Sequence, residues 1–323
     1  MEDTVVKIVV LDGFALNPGD LSWEAIAKMG EFELHDRTPT ELILERAAGA
    51  EVLLTNKTPL SAETMDQLPE LRYIGVLATG YNVVDTEAAA KRGIVVTNVP
   101  AYGTQAVTQM VFALLFALIR GVQRHSDAVF AGEWTANDDF CFWRTPQWEL
   151  TGKTMGIVGF GRIGRCTAQA ADAFGMRVLA ADAVQEDPPA VGHFSWCGVE
   201  KLLSESDVVT LHCPLVRETE GLINRTTLAL MKPSAFLINT SRGPVIVERD
   251  LAGALNEGVI AGAGLDVLGV EPPSADNPLL KAQNCVITPH IAWATLEARS
   301  RLMATVVESL RGFLAGTPVN VVS

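Results

Sequence analysis

Nearly halfway along this 323-residue chain stands Gly156-Ile157-Val158-Gly159-Phe160-Gly161-Arg162-Ile163-Gly164, and an acidic residue, Asp182, follows 18 positions after the last glycine. The apolar residues Met155, Ile157 and Val158 predict a strand, and residues 162–174 predict a helix. A second strand, Arg177 to Ala181, delivers Asp182. This is the strand–turn–helix–strand context in which a glycine fingerprint binds a dinucleotide. Gly159 permits the tight turn, Gly161 lets the backbone approach a pyrophosphate, and Gly164 lets helix and strand pack closely. The helix N-terminus offers unpaired N–H groups and a positive dipole end to the phosphates. Asp182 can accept hydrogen bonds from a ribose diol. No Lys or Arg lies between it and Lys201, so a 2′-phosphate would meet negative charge without a partner, and NAD is expected rather than NADP. A bare Gly-x-Gly-x-x-Gly is also a common loop in α/β proteins; here strand, glycines, helix, second strand and acid agree.

About 150 residues precede the fingerprint, and the whole chain exceeds the size at which one core keeps growing, so two domains are expected. Strand-like runs at Lys7–Leu11, Glu31–His35, Glu51–Leu54, Tyr73–Val76 and Ile94–Thr97 alternate with helical patterns such as Thr40–Ala48 and Asp85–Arg92. Such alternation predicts a small doubly wound parallel domain. After Asn98-Val99-Pro100 one long helix is expected from about Thr104 to Phe130. An aromatic loop follows, with Trp134, Phe140, Phe142, Trp143 and Trp148, which either forms a contact surface or packs beneath the second domain. Further strands are expected at Val208–Leu211, Ala235–Ile238, Ile260–Leu265 and Val286–Thr288. A helix over Ala294–Leu314 should then return to complete the first domain. The expected organisation is a first domain of residues 1–99 and 294–323, with residues 100–293 inserted as the nucleotide domain.

With 48% hydrophobic and 20% charged residues the composition is that of a globular protein. The net charge of −13 opposes binding to nucleic acid or anionic membranes, and an anionic substrate would need local positive charge in its site. Five scattered cysteines (Cys141, Cys166, Cys197, Cys213, Cys285) with no CxxC pair argue for reduced thiols, not a disulfide framework or metal site. Residues 93–119 carry no charge, but the fully apolar core Val111–Ile119 is only nine residues long, too short to span a bilayer. The N-terminus runs directly into a strand with no leader pattern, so a cytoplasmic location is expected.

Three polar residues follow nucleotide-domain strands, at the end where open α/β sheets place ligands. They are Arg242 in Asn239-Thr240-Ser241-Arg242-Gly243, Glu271 after Asp266-Val267, and His290 after Thr288-Pro289. Each alone is ordinary: an arginine at a strand end is usually a salt bridge, and a lone histidine is usually structural. Beside a hydride carrier they supply the parts for reducing a 2-keto acid. Arg242 can pair with a carboxylate and polarise the adjacent carbonyl. His290 can give the carbonyl oxygen a proton, and Glu271 can favour and orient the imidazolium.

The chain resembles the D-isomer-specific 2-hydroxyacid dehydrogenases over nearly its whole length. The segments that carry the resemblance are Gly75-Val76-Leu77-Ala78-Thr79-Gly80-Tyr81-Asn82-Val83-Val84-Asp85, the glycine fingerprint, residues 239–243, Gly264-Leu265-Asp266-Val267 with Glu271-Pro272, and Thr288-Pro289-His290. The resemblance implies a Rossmann NAD-binding domain inserted into a flavodoxin-like substrate domain, with Arg242, Glu271 and His290 catalytic. It implies a cofactor set of Gly159, Gly161, Arg162, Ile163, Gly164, Asp182, Cys213, Pro214, Thr219, Thr240, Ser241, Arg242, Asp266 and His290, in which Asp266 meets the nicotinamide. The loop around Ala78, Thr79 and Gly80 would receive the substrate carboxylate, with Arg242, His290 and Trp293 completing the substrate set. Trp293 either shapes the pocket or packs at the hinge. Gly269 stands where a bulkier or charged residue is common in the family, but the step from Asp266 to Glu271 is retained.

The run Ala78–Asp85 and His290-Ile291-Ala292-Trp293 are closest in character to glycerate dehydrogenases, also called hydroxypyruvate reductases. The expected activity is therefore NAD-dependent reduction of hydroxypyruvate or glyoxylate to the D-2-hydroxy acid. A D-lactate-type enzyme and a 3-phosphoglycerate dehydrogenase share the scaffold and stay open. A formate dehydrogenase is disfavoured by the Glu–His rather than Gln–His arrangement. A dinucleotide-sensing corepressor on the same fold is the non-enzyme alternative. The family also implies a homodimer with an arm near residues 120–150, through which Trp143 would reach the partner's pocket.

Overall fold

A computed structural model describes residues 5–323. The chain divides into two compact units, one formed by Met1–Gly103 with Ala294–Ser323 and the other by Thr104–Trp293. The first crossing falls after Gly103, past the expected step at residue 99. The Nε of Arg301 donates to the carbonyl of Tyr102 at 2.9 Å, which keeps that stretch with the first unit.

The first unit contains strands β1 (Lys7–Val10), β2 (Glu31–Leu34), β3 (Val52–Thr55), β4 (Tyr73–Val76) and β5 (Val95–Thr97). Short helices α1 (Glu24–Ala27), α2 (Ile43–Ala47), α3 (Ala62–Asp66) and α4 (Thr86–Lys91) lie between them. All pairings are parallel, in the order β2-β1-β3-β4-β5, the flavodoxin-like winding. Buried apolar runs such as Val52-Leu53-Leu54 form the central strands because both faces are covered. Asp85, read from sequence as the first residue of a helix, is instead the cap of α4: its carboxylate accepts from the N–H of Ala88 at 2.9 Å.

The second unit opens with α5 (Thr104–Ile119) and α6 (Val122–Phe130). These correct the expectation of one helix over this stretch. Gly121 adopts φ +51°, a left-handed conformation that ends the first helix and turns the second by 52°. Val111, Phe112, Leu114 and Leu115 of α5 are buried in the same core as Met155, Ile157, Phe236 and Ile238. No single described helix is long and apolar enough to cross a membrane; α5 and α6 reach that length and composition only as a bent pair.

The sheet that follows has strands β6 (Thr154–Val158), β7 (Arg177–Ala181), β8 (Phe194–Trp196), β9 (Val208–Leu211), β10 (Phe236–Asn239), β11 (Gly262–Leu265) and β12 (Cys285–Ile287). Between them run α7 (Arg162–Ala173), α8 (Val199–Glu205), α9 (Arg225–Leu228) and α10 (Glu248–Asn256). The all-parallel order is β12-β11-β10-β9-β6-β7-β8. It reverses between β6 and β9, the switch point at which doubly wound sheets bind dinucleotides. The expectation of two parallel α/β sheets therefore holds. The edge strand β8 has no counterpart in the sequence reading: it is three residues long and lacks a buried apolar run.

The chain returns to the first unit as α11 (Leu296–Leu314), capped by the hydroxyl of Thr295. Leu302, Met303, Val306 and Leu310 of this helix join the core beside β1 and β3. Arg299 on α11 is 7% exposed. Its guanidinium grips both carboxylate oxygens of Asp20 at 2.7 and 2.6 Å and also donates to the carbonyls of Leu16 and Ala294. This bidentate pair holds the Asp20 carboxyl below its ordinary pKa. Arg299→Ala would strand two carbonyls and a carboxylate, and is expected to lower the melting temperature by about 5 °C in a thermal scan; an unchanged melting temperature would show that solvent replaces these bonds at no cost.

Candidate active site

The fingerprint turn is built by close backbone contact. Gly159 has φ +88°, and a Cβ there would lie 2.4 Å from the backbone nitrogen of Cys213, so only glycine lets this turn press against the end of β9. Gly161 caps α7 in an extended conformation, with Arg162 exposed, Ile163 half-buried and Gly164 buried in the first turn. Asp182 lies just beyond β7. One carboxylate oxygen accepts from the N–H of Phe160 inside the fingerprint, and the other accepts from Val184 N–H at 3.2 Å. The carboxylate is therefore oriented by backbone on both sides while each oxygen keeps a further lone pair for a ligand hydroxyl.

After β9, Cys213 is buried, and burial, reinforced by Asp182, pushes its thiol pKa up, so it stays a neutral wall residue. Pro214 is exposed. Thr219 spends its hydroxyl on the loop itself: it donates to the carbonyl of Pro214 at 2.6 Å and accepts from Val216 N–H at 2.9 Å. This places Thr219 as a brace for the segment that carries Pro214.

The neighbouring His212 escaped the sequence reading. Its Nε2 lies 3.0 Å from the hydroxyl of Thr210 and 3.3 Å from that of Thr167 on α7. Both threonines are fully buried. The residue as a whole is half-buried, and burial of its ring pushes the pKa down to about 3. No sequence pattern distinguishes such a histidine, because one of its two partners, Thr167, arrives from a helix 45 residues earlier.

At the end of β10, Asn239 folds the turn that presents Arg242. Its side-chain oxygen accepts from the N–H and hydroxyl of Ser241, both at 2.9 Å, and its amide donates to the carbonyl of Arg242 at 2.9 Å. Arg242 is exposed, and its guanidinium donates to the carbonyl of Ser241 at 2.7 Å. Gly243 then passes so close to the next loop that a Cβ would fall 1.9 Å from the Leu268 carbonyl. The buried hydroxyl of Thr240 has no hydrogen-bond partner among the described residues, which calls for a ligand atom at this strand end.

Glu271 and His290 meet directly: Oε2 of Glu271 lies 2.6 Å from Nδ1 of His290, while Oε1 accepts from Leu268 N–H at 3.1 Å. A carboxylate is an acceptor only, so Nδ1 carries the proton and Nε2 points away from the pair. His290 has φ +54°, an uncommon conformation for a residue with a Cβ. Asp266, 1% exposed, holds the loop around it. One oxygen accepts from the Thr288 hydroxyl at 2.5 Å and Ile291 N–H at 2.9 Å, and the other from Ala292 N–H at 2.8 Å. Trp293 donates from its indole to the His290 carbonyl at 2.9 Å.

All these groups sit at the C-terminal ends of β6, β7, β9, β10, β11 and β12. The cradle at Gly159, the α7 N-terminus, the oriented Asp182 and the unpartnered Thr240 hydroxyl fit a dinucleotide. Residues 112–292 match the family described as D-isomer specific 2-hydroxyacid dehydrogenase, NAD binding domain. The chain belongs to the D-isomer specific 2-hydroxyacid dehydrogenases. It is 50% identical over 321 residues to a hydroxypyruvate reductase of Blautia hydrogenotrophica, covering 98% of this chain and 100% of that one. It is 40% identical over 318 residues to a glycerate dehydrogenase of Methylorubrum extorquens, with 98% of each covered. A solved structure of a Thermus thermophilus protein superposes with a TM-score of 0.87 at 35% identity, over 98% of this chain and 100% of that one. As a 2-hydroxyacid dehydrogenase the chain is an oxidoreductase that uses a nicotinamide cofactor.

In the first unit, the sequence-expected substrate loop follows β4. Ala78 and Gly80 are half-buried and Thr79 is exposed, with its hydroxyl donating to the Val99 carbonyl at 2.7 Å. In the aromatic stretch of the second unit the two readings divide by residue. Trp148 packs edge-on against Phe236 with ring centroids 5.1 Å apart, whereas Phe130, Trp134, Phe140 and Trp143 are exposed.

The His212 ring implies a specific acid sensitivity. Its folded pKa lies below the unfolded value of 6.5, so the unfolded chain binds the extra proton. The contribution to stability is full above pH 6.5 and lost as pH falls towards 3, at about 1.4 kcal/mol per pH unit. Denaturant melts at pH 7 and 5 should differ by about 2 kcal/mol more in the wild type than in His212→Asn; identical differences would mean that the ring is reached by solvent.

Proposed function

We propose that this dehydrogenase reduces hydroxypyruvate, with glyoxylate as a second substrate, to the D-2-hydroxy acid using NADH. The observation that carries the reading is the Glu271–His290 pair, 2.6 Å apart and set at a strand end beside an exposed Arg242. The chain's likeness to a hydroxypyruvate reductase and a glycerate dehydrogenase over nearly its full length supports the substrate class.

A bound nicotinamide supplies the hydride, and the chain supplies the rest. Arg242 pairs with the substrate carboxylate and draws charge from the adjacent carbonyl. His290 donates the Nε2 proton to the oxygen that becomes the hydroxyl, and in reverse takes it back. Glu271 stabilises the imidazolium and holds the ring orientation. Gly159, Gly161, Arg162, Ile163 and Gly164 seat the pyrophosphate. Cys213, Pro214, Thr240 and Ser241 line the nicotinamide half, while Asp266 keeps the His290 loop in register beside it. Asp182 selects NAD over NADP by accepting ribose hydroxyls and repelling a 2′-phosphate. Ala78, Thr79 and Gly80 bind the carboxylate through their backbone, and Trp293 bounds the pocket.

In this reading the first unit, residues 1–103 with 294–323, is the substrate domain and the second, residues 104–293, the NAD domain. The exposed Phe130, Trp134, Phe140 and Trp143 lie within an arm at about residues 120–150 and support a homodimer. Five free thiols fit a cytoplasmic setting.

The test is oxidation of NADH or NADPH with hydroxypyruvate, glyoxylate, pyruvate and 3-phosphohydroxypyruvate. Hydroxypyruvate with NADH should be the preferred pair; preference for NADPH would refute the role given to Asp182. His290→Ala should reduce kcat by about 10³-fold with NADH affinity unchanged. Arg242→Ala should raise KM for the keto acid and lower kcat, together costing about 10³-fold in kcat/KM. Equal loss of cofactor and substrate binding in both variants would count against these assignments.

A further inference from the structure

The substrate loop in the first unit is held from one side only. Two consecutive peptide units make it up, and in each the carbonyl is fixed by the segment that follows β5. The Ala78 carbonyl accepts from the main-chain N–H of Val99 at 3.0 Å. The Thr79 carbonyl accepts from the side-chain amide of Asn98 at 2.7 Å. A trans peptide is planar, with its C=O and N–H pointing in opposite directions. Fixing the Ala78 carbonyl therefore aims the Thr79 N–H, and fixing the Thr79 carbonyl aims the Gly80 N–H. Both N–H groups point away from the bracing segment, and neither has a hydrogen-bond partner among the described residues. Two adjacent free N–H groups aimed the same way form a concave anion site.

We infer that Asn98 is a positioning residue for substrate recognition: its side-chain amide fixes the Thr79 carbonyl and so turns the Gly80 N–H toward the substrate carboxylate. This rests on the reading of residues 78–80 as the carboxylate loop. The residue after Val99 is Pro100, which lacks an N–H and so offers no donor of its own. Asn98 itself is well anchored. Its backbone N–H donates to the Asn320 carbonyl at 3.2 Å, and the adjacent Thr97 forms an antiparallel bridge with Val321. The Thr79 hydroxyl ties the loop to the Val99 carbonyl, so the loop keeps its position when the Asn98 amide is removed and loses only the orientation of one peptide. Asn98 is thus distinct from groups that touch substrate; it acts through Gly80.

The experiment is Asn98→Ala in the full-length enzyme, with hydroxypyruvate and NADH in steady state. KM should rise roughly tenfold, the scale of one oriented hydrogen bond to a charged group, with kcat within about threefold. The inhibition constant of oxamate, a carboxylate that is not reduced, should rise by the same factor. NADH affinity and melting temperature should stay at wild-type values, since Asn98 is half-buried and lies outside the dinucleotide unit. Thr79→Val, which removes the other tie but not the Asn98 amide, should raise KM less than Asn98→Ala does. A fall in kcat at constant KM, an unchanged oxamate constant, or a loss of KM that merely tracks a lower melting temperature would each overturn the inference. A wild-type enzyme without 2-keto acid turnover would overturn the reading of the site, and the role of Asn98 with it; turnover with an indifferent Asn98→Ala would overturn the role alone.

Discussion

A buried carboxylate organises the C-terminal strand ends of the nucleotide unit. Asp266 stands at the end of β11 with 1% of its surface exposed, and its hydrogen bonds reach Thr288, Ile291 and Ala292 on both sides of His290. An isolated charge so placed would be costly, and the three donors offset that cost. In return the loop is held at three points while the residue at its centre adopts φ +54°. Uncommon backbone conformations persist where the surroundings over-determine them, and they gather at functional sites. The orientation of the Glu271–His290 pair, and so of the proton it carries, depends on this clamp. The Trp293 indole adds a fourth point by binding the His290 carbonyl itself.

Winding order explains why residues so far apart in sequence come together. In a parallel sheet every strand ends on the same edge, and each crossover returns the chain to that edge before the next strand starts. Asp182, Cys213, Thr240, Asp266 and His290 each follow a different strand of one seven-stranded sheet. Close backbone passages then set the spacing between neighbouring loops. The Gly159 turn presses on Cys213, and Gly243 presses on Leu268, which in turn donates to Glu271. The loop that carries Arg242 and the loop that carries Glu271 are therefore packed backbone to backbone, and a methyl group at residue 243 would have to drive them apart.

Much of this was legible before any coordinates. β4, β7 and β9 lie on the residues the sequence indicated, because an apolar run bounded by polar turns has few alternatives when both faces are covered. The glycine spacing located the turn, and polar residues after apolar runs located Arg242, Glu271 and His290. What escaped depends on contacts between distant segments. The break at Gly121 was hidden because apolar periodicity continues up to it, and one glycine in a helix costs only about 1 kcal/mol. β8 lacks an apolar run and exists because β7 offers it an edge. The burial of His212 comes from Thr167, and the clamp at Asp266 from a loop more than 20 residues later. Asn98 was visible only as part of a crossing segment; its bond to the Thr79 carbonyl appears once β4 and β5 are side by side.

A net charge of −13 opposes the approach of anions. The structure resolves this by using fixed dipoles and few mobile cations. The α7 N-terminus presents backbone N–H groups to a pyrophosphate, and the loop after β4 presents two more with their carbonyls tied back. Arg242 adds a guanidinium just after β10, and its turn is fixed by three hydrogen bonds of the Asn239 side chain. Oriented backbone donors carry no counter-charge to neutralise, lose little entropy on binding, and act over a few ångströms only. The acidic surface can therefore repel polyanions at long range while a small carboxylate is held at short range.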